Sequence, residues 1–271
     1  MRYICALTIA GSDCSGGAGI QADIKTMSAL GVYAAAAITS ITVQNTKGVK
    51  AVHGVNSLVV TDQIKAVMDD IKPDAVKIGM VNDCATIHAI ADTLKHYPKC
   101  PIVIDPIMVS TSGFNLMKPD ALELFCDSLL PMSTLLTPNL LETEILSNMK
   151  IYTIDDMDIA AQKIMSLGCK AVLIKGGHMT GERKIDRLYM TNGGVQTFTH
   201  KTIDTRNTHG TGCTLSSAIT SFVARGLNLV DAIAAAKNYL SQALGGGKDI
   251  HIGEGHGPVN HLFNPEKLIT L

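Results

Sequence analysis

Tryptophan is absent, aromatic residues make up only 4% of the 271 residues, and neither sign of charge is in excess, with 23 basic against 24 acidic residues. A core must then be built from Ala, Val, Ile, Leu and Met, and apolar residues reach 46%. The balanced charge speaks against a nucleic-acid scaffold and against a protein held to membranes by charge. No apolar run approaches the ~20 residues of a membrane span, and the opening "MRYICALTIAGSD" is too short in its apolar part for a secretory signal. It reads as a first β-strand, and a cytoplasmic location is expected. The seven cysteines are odd in number, form no C-x-x-C, and accompany no histidine pair at zinc spacing, so neither a disulfide framework nor a zinc site is expected. Also missing are G-x-x-x-x-G-K-[ST] and a G-x-G-x-x-G after the first strand, which excludes a P-loop and speaks against a dinucleotide oxidoreductase.

What the chain does contain is a steady alternation of short apolar runs and helical periods. Strands are expected at 4–10, 35–43, 75–78, in "PIVIDP", in "TLLTP" and in "AVLIK", with a polar connection between the second strand and about residue 60. Ile64, Val67, Met68 and Ile71 fall on one helical face, as do Ile87, Ile90, Ala91 and Leu94. Helices are also expected near 17–30, after Pro119, from Asn139, through Ile164 and Leu167, and near 213–225 and 230–244. Two polar strands near 186–190 and 195–200 read as a hairpin at a sheet edge. Such alternation predicts a three-layer α/β/α domain, a mostly parallel sheet covered by helices on both faces, with its site at the strands' carboxyl ends. No linker or repeat interrupts it, so residues 1–271 are read as one domain without a separate lid.

Several stretches carry chemistry. "AGSDCSGGAGIQAD" is dense in glycine, including Gly11, and leads into a helix whose start favours an anion. Asp23 falls on that helix's apolar face among Ile20, Ile24, Met27 and Leu30. A carboxylate there needs a partner, and it is either an acid complementing the helix dipole or an acceptor for a ligand's donors. Gln44 closes the second strand with one donor and one acceptor, which suits the edge of a heterocycle. Asn139 and Glu142 form N-x-x-E, at once a good capping box and a place for an acid that orders Mg²⁺ waters. Asp105 and Lys175 both stand at strand ends. "NTHGTGCTLS" places Gly210, Thr211, Gly212 and Cys213 at the start of an apolar-periodic helix, where backbone amides hold developing negative charge and a thiol's pKa is lowered.

These residues resemble the ribokinase-like superfamily, and within it the hydroxymethylpyrimidine/phosphomethylpyrimidine kinases of thiamine synthesis. "LTIAGSDCSGGAGIQADIKT", "AITSITVQNTKGV", "KIGMV", "VIDPIMVSTSG", "LLTPNLLETEIL", "VLIKGGH", "NTHGTGCTLSSAI" and "GHGPVNH" all look like the family's blocks. The resemblance implies a ribokinase-like fold, ATP as phosphoryl donor, Mg²⁺, small-molecule substrates and a homodimer. Carried over by position, Asp23 and Gln44 would bond the aminopyrimidine, and Gly11, Met80 and Ile107 would shape its pocket. Asn139, Lys175 and Thr208 would serve the nucleotide, and Glu142 and Asp105 the metal. Gly210, Thr211 and Gly212 would form the anion hole, with Cys213 as a base whose pKa is pulled toward neutrality. The superfamily's sugar kinases carry aspartate at that last position. One departure is "MVSTSG", where a lysine is expected at or beside Thr111.

Two rivals remain at this stage. A pyridoxal kinase of the same fold would phosphorylate a similar ring once; Gln44 favours the pyrimidine, whose amino edge needs a matched donor and acceptor. A non-catalytic pyrimidine sensor would keep the ring pocket without the intact anion cradle and Glu142.

Overall fold

The computed structural model describes residues 1–110, 113–176 and 183–271; the expectation attached to Thr111 lies outside them. Among the described residues nine strands form one sheet: β1 (Cys5–Asp13), β2 (Tyr33–Asn45), β3 (Gly48–Gly54), β4 (Ala75–Ile78), β5 (Ile102–Ile104), β6 (Leu135–Leu136), β7 (Ala171–Lys175), β8 (Arg183–Met190) and β9 (Val195–Lys201). Their order is β3-β2-β1-β4-β5-β6-β7-β8-β9. The pairings from β2 through β7 are parallel, and β3, β8 and β9 add antiparallel edges. The chain leaves β1 toward β2 and returns on the other side at β4, so the strand order reverses at β1 and β4. Open α/β sheets bind ligands at such a point.

Among the described residues eight α-helices flank the sheet: α1 (Gly19–Ala29), α2 (Ser57–Asp70), α3 (Cys84–Leu94), α4 (Ala121–Ser128), α5 (Leu140–Ser147), α6 (Ile154–Ser166), α7 (Thr211–Ala224) and α8 (Leu229–Gly247). Period-two alternation divides the strand side chains between two layers. Val172 and Ile174 pack with Ile64, Ile87, Ile90, Phe125 and Ile164 of α2, α3, α4 and α6. Ala171 and Leu173 face the other way, onto Leu215, Ile219 and Ile233 of α7 and α8. Burying one such aliphatic side chain contributes about 1.5–3 kcal/mol, so both layers are held by side chains of modest size. Among the described residues no helix is long and apolar enough to cross a membrane.

The polar connection expected up to about residue 60 is not a connection. It contains β3, paired antiparallel to β2, and the first turn of α2, where Asn56 Oδ1 accepts the Leu58 amide at 2.9 Å. An edge strand that is exposed or half-buried along its whole length needs no apolar alternation, which is why "GVKAVHG" shows none.

Candidate active site

A cavity of 1280 Å³ opens at the carboxyl ends of the strands, lined among others by Gly11, Gln44, Met80, Ile107, Thr208 and Cys213. Its floor is the start of α7. Gly210 caps this helix at φ 77°, a left-handed conformation that glycine adopts without penalty. A Cβ at Gly210 would also run into the Gly17 carbonyl, so the β1–α1 loop and the approach to α7 lie backbone against backbone. The Thr211 amide is taken by the Thr208 carbonyl at 3.3 Å. The amides of Gly212 and Cys213 follow it in the first turn, where a helix has no acceptors of its own.

Charged residues crowd one side of this cradle. A Cβ on Gly212 would lie 3.4 Å from Asp105 Oδ2 and 3.6 Å from Lys175 Nζ. Lys175 leaves the end of β7 beside Asn139 and donates to Asp105 Oδ1 at 2.8 Å. Thr137 donates to the same oxygen at 3.1 Å, and Ser216 to Oδ2 at 3.3 Å. Burial alone would raise the Asp105 carboxyl; Lys175 and Lys77 outweigh it and hold it below the usual range. Both Asp105 oxygens thus have protein donors. Glu142 is 4% exposed and does close a capping box: its Oε2 accepts the Asn139 amide at 2.7 Å, and Asn139 Oδ1 accepts the Glu142 amide at 2.9 Å. Burial pushes this carboxyl up to about 7, with Lys175 opposing and Asp105 adding to the rise.

On the other side stands Gln44, near a carboxylate that composition and spacing gave no reason to single out. Asp13 is 2% exposed. Its Oδ2 accepts the Gly17 and Ala18 amides at 3.1 and 2.8 Å and lies 2.8 Å from His209 Nε2. Ser15 bonds Oδ1 through both its amide and its hydroxyl at 2.7 Å. Burial would raise the Asp13 carboxyl, but His209, Ser15 and Gln44 together bring it far below the ordinary carboxylate range. Met80 and Gly11 meet across this pocket, a Cβ on Gly11 falling 3.2 Å from the Met80 sulfur.

Asp23 is not part of the cavity wall. It is fully buried, with Lys77 Nζ and Ser217 Oγ each donating to Oδ1 and Thr8 Oγ1 to Oδ2, all at 2.6 Å. The partner that a carboxylate on an apolar face requires is thus Lys77 of β4, itself inaccessible to solvent. Ser217 lies one helical turn beyond Cys213, so the ion pair sits under the same face of α7. Cys213 also departs from what the helix start led us to expect. Burial pushes its thiol up to about 11; Lys77 pulls down, while Asp23 and Asp105 add to the rise. At 6% exposure, loss of solvation overcomes the helix terminus that was expected to lower it.

The phosphomethylpyrimidine kinase family pattern matches residues 13–260. The chain belongs to that family. A hydroxymethylpyrimidine/phosphomethylpyrimidine kinase of Rhizobium meliloti is 48% identical over 259 residues, 95% of this chain and 96% of that one. This kinase chain also resembles a solved phosphomethylpyrimidine kinase of Clostridium difficile, with TM-score 0.79, 46% identity, and coverage of 89% and 99%. A Staphylococcus aureus pyridoxal kinase in complex with AMP-PCP and pyridoxal gives TM-score 0.87 at 31% identity, with coverage of 97% and 94%. The ribokinase-like architecture expected from the sequence is shared with these phosphotransferases.

Proposed function

We propose that this kinase transfers the γ-phosphoryl group of ATP to the hydroxymethyl oxygen of 4-amino-5-hydroxymethyl-2-methylpyrimidine, and then phosphorylates the monophosphate to the diphosphate used for thiamine. The carrying observation is the position of Cys213. It opens the first turn of α7 and lines the same cavity as Gln44, Met80 and Ile107 and as Lys175, Glu142 and Asn139. In this reading the amides of Gly212 and Cys213 receive charge on the transferred group, and Lys175 holds phosphate oxygens. The alcohol oxygen bonds to phosphorus as the bond to ADP breaks, and the alcohol proton passes to Cys213 Sγ in its thiolate form, giving the thiol. In a loose transition state that proton leaves late, so a modest acceptor suffices.

A Mg²⁺ ion fits this donor set in one way. Among the described residues no three His, Cys, Asp or Glu side chains converge, so an all-protein cage is lacking. Mg²⁺ ordinarily keeps several waters and takes one or two carboxylates plus substrate phosphates, for which Glu142 is the available acid. When bound it would neutralise nucleotide phosphate charge.

We read residues 1–271 as one kinase domain and its assembly as a homodimer. Ile41 and Val43 of β2, 50% and 44% exposed on one face, are apolar surface that a second copy would cover; sedimentation equilibrium would give twice the chain mass. The substrate reading is tested by incubating the protein with Mg-ATP and the aminopyrimidine alcohol, with pyridoxal in parallel, and weighing the products. Successive gains of one and two phosphoryl groups on the pyrimidine support it. Turnover of pyridoxal alone would transfer the assignment to the pyridoxal kinases that share this fold.

A further inference from the structure

We propose that His209 is a positioning residue for the phosphoryl transfer: it locks the β1–α1 loop and the segment 255–261 onto the start of α7, and so fixes where the acceptor alcohol stands relative to the cradle. The inference deepens the kinase reading and rests on it.

His209 immediately precedes the residue that caps α7, and it is held by both side chain and backbone. Its imidazole Nε2 lies 2.8 Å from Asp13 Oδ2, and both residues line the cavity. Its backbone amide donates to the Gly257 carbonyl at 3.0 Å, and it forms a parallel bridge with Pro258. Its ring packs on the backbone of Gly17, where an added Cβ would run into His209 Cδ2 and lie 3.2 Å from the Pro258 side chain. The same segment braces the first turn of α7 a second time. The buried His261 places Nε2 at 3.1 Å from Thr214 Oγ1, which donates to the Gly210 carbonyl at 2.8 Å.

The side-chain contact has a fixed polarity. Asp13 accepts from the Gly17, Ala18 and Ser15 amides, as a carboxylate does, so His209 Nε2 carries the proton and donates. The acceptor is pinned to its loop, and the donor sits one residue from the helix cap. Gly11 and the loop that follows it belong to the ring side of the cavity, whereas Gly212 and Cys213 belong to the phosphate side. In-line transfer tolerates little error in that spacing: about 1 Å of misplacement can cost on the order of a hundredfold. His209 governs the spacing without touching the reacting atoms. The nucleotide side rests on Lys175 of β7 and on the cap of α5, which are separate elements. A loosened His209 should therefore leave ATP bound and let the alcohol drift, so that water takes its place as acceptor and ADP and free phosphate form.

The test compares His209→Gln and His209→Leu with the unaltered protein, using Mg-ATP and 4-amino-5-hydroxymethyl-2-methylpyrimidine. ADP and pyrimidine phosphate are measured in the same reaction. Glutamine keeps an NH₂ that can donate to Asp13, whereas leucine keeps bulk and loses the donor. His209→Leu should lose about ten- to a hundredfold in kcat for pyrimidine phosphate, with KM for ATP unchanged and ADP in excess over pyrimidine phosphate. His209→Gln should regain most of the rate and form the two products in equal amounts. Gly17→Ala keeps every hydrogen-bonding group but pushes on the ring, and it should behave like His209→Leu. Lys25→Met removes a different bond to the same loop, at the Gly16 carbonyl, and should keep both rate and stoichiometry. A lowered Tm with normal kcat and equal products in His209→Leu would reduce His209 to packing and overturn the inference. So would a His209→Gln as defective as His209→Leu, or an equal excess of ADP in Lys25→Met. Should His209→Leu fail to fold, Gly17→Ala decides, and equal products there overturn the inference. Absence of any turnover of the aminopyrimidine by the unaltered protein overturns the functional reading and this one with it. Fully coupled turnover in His209→Leu overturns this one alone.

Discussion

Replacing Cys213 by aspartate exchanges a buried thiol held near 11 for an acid whose ordinary pKa lies several units lower. The unaltered protein at pH 7 then carries about one part in 10⁴ of thiolate, a deprotonation cost of about 5 kcal/mol. If Cys213 accepts the alcohol proton as thiolate, kcat/KM should rise about tenfold per pH unit between 7.5 and 10, since that ratio reports the free enzyme's pKa. Cys213→Asp should give a profile level over the same range, and Cys213→Ala should bind substrate yet lose about 10²–10⁴ in kcat. Glu142, which titrates near 7, adds a bend at that pH to all three profiles and so does not confuse the comparison. The same placement makes alkylation by iodoacetamide slow at pH 7 and faster toward pH 10. The assay is initial rate of ADP formation across buffers of constant ionic strength. A level profile for the unaltered protein, with full loss in Cys213→Ala, would mean the thiol orients the alcohol without taking its proton as thiolate.

Three other outcomes follow from the packing. Asp23→Asn leaves Lys77 buried without its counter-charge and should cost about 3–5 kcal/mol in urea unfolding; an unchanged midpoint would remove the ion pair from the account of the core. Gly210→Ala must accommodate both φ 77° and the overlap with the Gly17 carbonyl, so Tm should fall and kcat should drop more than tenfold; a normal kcat in the folded variant would exclude the cradle from the chemistry. The buried thiols of Cys5, Cys169 and Cys213 are each raised from 9.0 to about 11 in the folded chain. Their folded pKa exceeds the unfolded one, so the stabilisation is complete below pH 9 and is lost as pH climbs toward 11, by up to about 3 kcal/mol each. Equal urea midpoints at pH 8 and pH 10.5 would contradict it.

How much of this was legible beforehand depended on whether the partner of each residue was local. The glycine-rich start of α7 was readable because small residues and a following helical period are contiguous, and the capping box of Asn139 and Glu142 because its two halves are three residues apart. Asp23 was recognised as an acid needing a partner, but Lys77 is 54 residues away and reads in "AVKI" as any strand lysine. The one signal available was a lysine in the middle of an otherwise apolar four-residue strand. Asp13 gave no signal at all, since an acid among glycines fits any loop, and its partner His209 lies 196 residues on. The Cys213 thiol was misjudged because the helix terminus is visible in sequence whereas its burial is a property of the folded site.

The long reach of these contacts also bears on the order in which the protein comes into being. Ser217 meets Asp23 across 194 residues and His209 meets Asp13 across 196. Everything between them must be synthesised before α7 can dock, and until then the emerging chain exposes Asp23 and Lys77 to water with the helix that covers them still missing. A chain cut short before residue 207 contains most of the sheet but none of the cradle. The β1–α1 loop and the start of α7 are therefore brought together only late in synthesis, and a truncated product lacks the helix that covers the Asp23–Lys77 pair.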